Sequence, residues 1–139
     1  MYRLIYKLYY VIFSNFYNQK IDFPWIIAVF YMALCTASFT LGIAVITNLY
    51  HPVRNLFPFD DLPRKSSNMI ISICILTSYW LLFHYILFRK MKISKKDGSS
   101  PYHEFTPTRK ERLLIWIFIF LLIFSAILFK LIEMVFIKY

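Results

Sequence analysis

Glycine is nearly absent, with two residues in a chain of 139. That scarcity excludes a phosphate-cradling glycine loop, and the chain contains neither G-x-S-x-G nor H-E-x-x-H. The three histidines, His51, His84 and His103, fall on different loops and at different depths. Tyr102-His103-Glu104 carries acid–base side chains, but neighbouring helical residues point apart and the triplet reads as surface. Both cysteines sit inside apolar runs, Cys35 near the middle of one and Cys74 close to the start of the next. Their depths differ, so they read as small buried hydrophobes and not as a disulfide. No catalytic activity, cofactor or metal site is expected.

Acidic side chains are also sparse, seven against sixteen Lys and Arg, giving a formal charge of +9. In a soluble protein that excess would raise the question of nucleic acid. Here the basic residues flank apolar runs, and membrane orientation explains them without a nucleic-acid partner.

What the chain has in abundance is apolar surface: 60% of residues are hydrophobic and 21% aromatic. A soluble domain of this size could not hide so much, and lipid supplies the missing cover. The strongest run, Leu113 to Phe129, has no charged residue and is apolar on every side. With the following turns it is long enough to cross a hydrocarbon core of about 30 Å. Two further runs, Phe23–Thr47 and Met69–Phe88, make three. The sequence therefore predicts an all-α membrane protein with spans at about 23–48, 68–89 and 110–137, forming one membrane domain over 23–139.

Residues 1–20 precede that domain. At 100° per residue, Arg3, Lys7, Ser14 and Asn18 share a narrow arc, with Leu4, Ile5, Leu8, Ile12 and Phe16 elsewhere. This predicts an amphipathic interfacial helix whose aromatic-rich face lies at the headgroup boundary. The alternative is a cytoplasmic helix packed on the protein's own spans. A cleaved signal peptide fits badly, and Met32-Ala33-Leu34-Cys35 lacks the small residue of a lipobox.

Asp22 is the expected N-cap of the first span, and Pro24 sits where a missing N–H costs nothing. Ala33, Thr36, Ala37, Thr40 and Ala44 then form one small face, while Ser38 and Gly42 with Cys35 form another. Small residues let helices approach closely where lipid gives no hydrophobic drive for association. This helix is expected to be central to the bundle or shared with a partner.

The first loop contains Pro52, Pro58 and Pro63, and Phe57 and Phe59 are expected at the interface. His51, Asp60 and Asp61 have no metal spacing and read as solvated. Ser66, Ser67 or Asn68 is the expected cap of the second span. Its Cys74, Thr77, Ser78, His84 and Tyr85 occupy one broad sector, expected to face protein, with His84 structural or interfacial.

The second loop is basic. Arg89, Lys90, Lys92, Lys95, Lys96, Arg109, Lys110 and Arg112 are expected to contact anionic lipid, at about 1 kcal/mol per residue. Within it, 97–101 makes a turn, and Thr108-x-x-Glu111 fits a capping box that starts the third helix. Near that helix's far end, Lys130 and Glu133 share a face with Ala126. Lys130 lies about 25 Å along the axis from Leu113, so it can snorkel, and anchoring or a structural ion pair is expected.

Three spans place the N-terminus and the basic loop on one side. Together they hold eleven basic residues, against four on the other side. The positive-inside rule then puts both in the cytoplasm and the C-terminus outside. The function expected is a small integral membrane subunit or accessory protein that packs against another membrane protein through the small-residue faces of its first span, Ala33, Thr36, Ala37, Thr40 and Ala44 with Ser38 and Gly42. The alternative is self-association into a homo-oligomeric pore or membrane-disrupting effector.

Overall fold

The computed structural model describes residues 1–47, 52, 63–101 and 104–137. The expectations for His51, Phe57, Phe59, Asp60, Asp61, Tyr102 and His103 lie outside these residues. Among those described, the elements are α1 (Tyr2–Asn18), α2 (Pro24–Ile46), α3 (Arg64–Tyr85) and α4 (Arg109–Ile132), with no strand. α3 runs on through a π-helical turn, Ile86–Lys90, and α4 through another, Glu133–Ile137. Three helices are long and apolar enough to cross a membrane, over Pro24–Ile46, Lys65–Lys90 and Arg109–Phe136.

α2 is the hub. Its most extensive neighbour is α4, followed by α3 and α1. In its most apolar stretch 39% is buried within the chain, against 17% for α3 and 11% for α4. The two small faces of α2 explain why. Projected at 100° per residue they lie on nearly opposite sides of the helix, and each has a neighbour. On one side Thr40 Oγ1 and Tyr79 Oη of α3 are 2.7 Å apart. On the other, the Cys35 thiol approaches Ile119 O of α4 at 3.8 Å, and Gly42 lies against Phe129 and Ala126. Tyr31 meets Trp116 edge-on at 6.4 Å between ring centroids. The contact pairs 31–116, 35–119 and 42–126 rise together, so α2 and α4 run parallel, while α3 returns between them in sequence.

The hydroxyls inside the spans are satisfied largely by their own helices. Thr36, Thr40, Ser72 and Ser78, like Thr47 at the C-cap of α2, each donate to the carbonyl four residues earlier, at 2.8–2.9 Å. Such back-bonding lets hydroxyls sit in an apolar span without a polar partner. Thr40 has one proton, and Thr36 O takes it; Tyr79 is therefore the donor in the α2–α3 bond.

α1 departs most from expectation. It is a helix, but it does not offer a free apolar face: Tyr6, Tyr9, Val11, Ile12, Phe13 and Ser14 are all buried. The helix folds back along α2. Phe16 packs on Tyr31 with centroids 5.6 Å apart, and Ile5, Leu8 and Ile12 meet Met32 and Cys35 around an apolar void of about 70 Å³. Ser14, placed on the polar arc by periodicity, accepts a 2.9 Å bond from Arg112 Nη1 at the start of α4. Packing on the protein's own spans, the alternative reading, describes these contacts.

Helix ends differ in detail. Thr108 and Glu111 form the reciprocal capping box, both bonds at 3.3 Å. The N-cap of α2 is Phe23, not Asp22, and it gives no side-chain cap. α3 begins earlier than Ser66–Asn68, after Pro63, whose extended backbone leads into a helix at Arg64.

Candidate functional site

α1 stops at a Schellman motif. Ile21 N donates to Phe16 O at 3.2 Å and Lys20 N to Tyr17 O at 3.0 Å, the paired bonds that close such a terminus. The residue in the left-handed position is Lys20, with φ 56°, where glycine is the usual occupant because it has no Cβ to clash. Three residues on, Phe23 is also left-handed, φ 55°. A non-glycine residue held there costs roughly 1–2 kcal/mol, so this turn carries strain twice within four residues. Pro24 then starts α2.

The loop after α3 folds over α1. Met91 and Ile93 are buried, and Ile93 N donates to Leu87 O at 3.1 Å. A tight turn follows, in which Gly98 N donates to Ser94 O and Ser94 N to Ser99 O, both at 2.9 Å. Asp97 accepts from the backbone N and the hydroxyl of Ser99 at 3.1 and 2.9 Å, and these bonds hold its carboxyl below the usual range. Gly98, with φ +70°, rests directly on the Phe13 ring, leaving no room for a Cβ. Its carbonyl accepts from Tyr6 Oη at 3.3 Å. Burial pushes the Tyr6 and Tyr9 phenols up, so both stay neutral.

Between this loop and the α1–α2 turn lies a cleft lined by cations and aromatic rings. Lys95 Nζ stands 4.1 Å from the Trp25 ring centroid and 4.9 Å from that of Phe88. Trp25 and Phe88 meet edge-on at 5.5 Å. His84 completes the cluster against Phe88 at 5.0 Å and Trp80 at 5.5 Å. Two open cavities flank Lys95. The larger, about 780 Å³, is bounded by residues 17, 18 and 20–25 of the turn together with Lys95 and Lys96. The other, about 600 Å³, lies between the end of α3, including Arg89, and the same two lysines.

The sequence-predicted site residues separate into groups. Arg89, Lys95 and Lys96 come together at the cleft. Lys90, Lys92, Arg109 and Lys110 are exposed outside it, whereas Arg112 is committed to Ser14. Ala33, Ala37 and Gly42 are buried by the chain's own helices, and Thr36, Ser38, Thr40 and Ala44 are half-buried. The small faces of α2 are thus internal packing surfaces. The α3 sector divides: His84 packs inward, while Cys74, Thr77, Ser78 and Tyr85 are exposed. Lys130 is exposed and Glu133 half-buried at the far end of α4.

Sequence reasoning missed Lys20, Trp25 and Phe88. A lysine at a position that favours glycine is visible only once the end of α1 is fixed, and the meeting of Lys95 with Trp25 depends on tertiary folding. No protein-family model, curated protein or solved structure matches the chain.

Proposed function

We propose that the chain is a small integral membrane protein that serves as an accessory subunit, packing against another membrane protein through the outward face of α3. The observation that carries this reading is the exposure of Cys74, Thr77 and Ser78 within a spanning helix. Cys74 and Ser78 are four apart, a small-xxx-small pair, and such surfaces favour close approach of a second helix over lipid contact. The corresponding small faces of α2 are already occupied by α3 and α4. Span hydroxyls bonded to their own helices supply no polar pathway, which favours a partner-binding role over a pore. Exposed apolar side chains elsewhere on α3 and α4 then meet lipid.

The proposed topology follows from the charge distribution. The N-terminus and the 89–112 loop are cytoplasmic, where Arg89, Lys90, Lys92 and their neighbours meet anionic lipid. The C-terminus is outside.

The exposed thiol of Cys74 offers the test, because Cys35 is buried. A thiol-directed photo-crosslinker attached at Cys74 in native membranes is expected to capture a second, different protein, and Cys74→Ser to abolish the adduct. Capture of lipid alone would overturn the reading, and capture of another copy of this chain would move it to self-association.

A further inference from the structure

We propose that the cleft between the α1–α2 turn and the 91–101 loop binds a phosphate-bearing anion, a chemistry shared by an anionic lipid headgroup and a soluble phosphorylated compound. This inference goes beyond the partner-binding reading and does not depend on it. Three lysines converge on one open cavity: Lys20 from the turn, and Lys95 and Lys96 from the loop. A single acidic residue, Asp22, shares that cavity, so the lining is cationic overall. Lys95 is held by the faces of Trp25 and Phe88, which orient the ammonium without neutralising it as a carboxylate would. The first turn of α2 opens on the same space, its N-cap Phe23 giving no side-chain bond. Its positive dipole end adds to the attraction for an anion.

The backbone sets the position of Lys20 in this turn. Lys20 occupies the left-handed position of a Schellman motif, and Phe23 is left-handed as well. Strained residues of this kind persist where the surrounding structure holds them, and they gather at ligand-binding sites. Glycine at position 20 would make a more stable helix end but would remove a cation from the cavity. The cleft also lies at the end of the spans marked by Pro24 and Lys90, the level at which headgroup phosphates reside.

The test uses the full chain in mild detergent, with native mass spectrometry to follow retention of phosphatidylglycerol against phosphatidylcholine. Calorimetry with inorganic pyrophosphate follows the soluble arm. One bound phosphatidylglycerol that phosphatidylcholine cannot replace identifies a lipid source, whereas pyrophosphate binding identifies a soluble one. In either arm Lys95→Gln is expected to weaken binding about fivefold, the effect of removing one basic contact. Lys20→Gly is expected to weaken it similarly while raising the melting temperature, a combination that a merely structural lysine would not produce. Lys65→Gln, at the start of α3 and remote from the cleft, should leave binding unchanged. Failure of both ligands to bind would overturn the proposal. So would wild-type affinity in Lys95→Gln and Lys20→Gly, or an equal loss in Lys65→Gln.

Discussion

Replacing Gly98 with alanine probes how the loop is fixed to α1. Two separate costs are expected. Holding an L-residue at φ +70° costs roughly 1–2 kcal/mol. The new Cβ would also lie 2.8 and 2.9 Å from Cδ1 and Cε1 of Phe13, inside van der Waals contact. That ring has little freedom to yield, being 1% exposed and stacked between Tyr9 at 5.7 Å and Tyr17 at 5.6 Å. Overpacking of this kind costs about 1–3 kcal/mol, so Gly98→Ala is expected to lose roughly 2–5 kcal/mol in total. A double-mutant cycle separates the two parts. In a Phe13→Leu background the steric part is relieved, and Gly98→Ala should cost only the backbone part, about 1–2 kcal/mol. Thermal unfolding in mild detergent measures each corner, and amide exchange across 94–100 shows whether the loop detaches. A loss under about 0.5 kcal/mol, typical of an uninvolved surface substitution, would refute the reasoning. Equal losses in the two backgrounds would show that Phe13 does not press on the glycine.

Three further outcomes are expected. Tyr79→Phe and Thr40→Val should each weaken the α2–α3 contact by about 0.5–1.5 kcal/mol, with a positive coupling in the double mutant; additive losses would mean that the 2.7 Å bond contributes nothing. Gly42→Leu should cost about 1–3 kcal/mol in unfolding experiments, because a Cβ would lie 3.3 Å from Ala126 Cα and 3.0 Å from Phe129 Cε2, whereas exposed Ile43→Leu should be nearly silent; similar effects would show that α2 and α4 are not in close contact. Asp97 has a lowered folded pKa, so its turn is stabilised above the ordinary carboxylate pKa and loses that support as pH falls through the folded value; exchange at the Ser99 amide should accelerate in acid relative to Asp97→Asn, and identical profiles would count against the turn.

The three long apolar helices were legible because an apolar run of that length has few soluble alternatives. The capping box at Thr108 and Glu111 was equally plain, since both of its bonds are local. Legibility ended where contacts became distant. Periodicity gave α1 a polar arc containing Ser14, yet its hydroxyl is satisfied by Arg112, a residue 98 positions away. An apolar face looks the same in sequence whether lipid or protein will cover it. The small faces of α2 were expected to meet a partner or the chain's own helices, and the fold buries them against α3 and α4. It also turns Cys74, Thr77 and Ser78 outward. The cleft was least visible, because its parts come from the end of α1, the start of α2, the end of α3 and the following loop.

The most direct measurement is the mass of the particle extracted from native membranes in mild detergent, for the wild type and for Ser78→Leu. A bulky side chain on the outward face of α3 blocks the close approach of a second helix without touching this chain's own core. The wild type is expected as a complex with a different membrane protein, and Ser78→Leu as the single chain with its melting temperature unchanged. A wild-type particle containing one chain alone, or a complex that survives Ser78→Leu intact, would contradict the partner-binding role of that face.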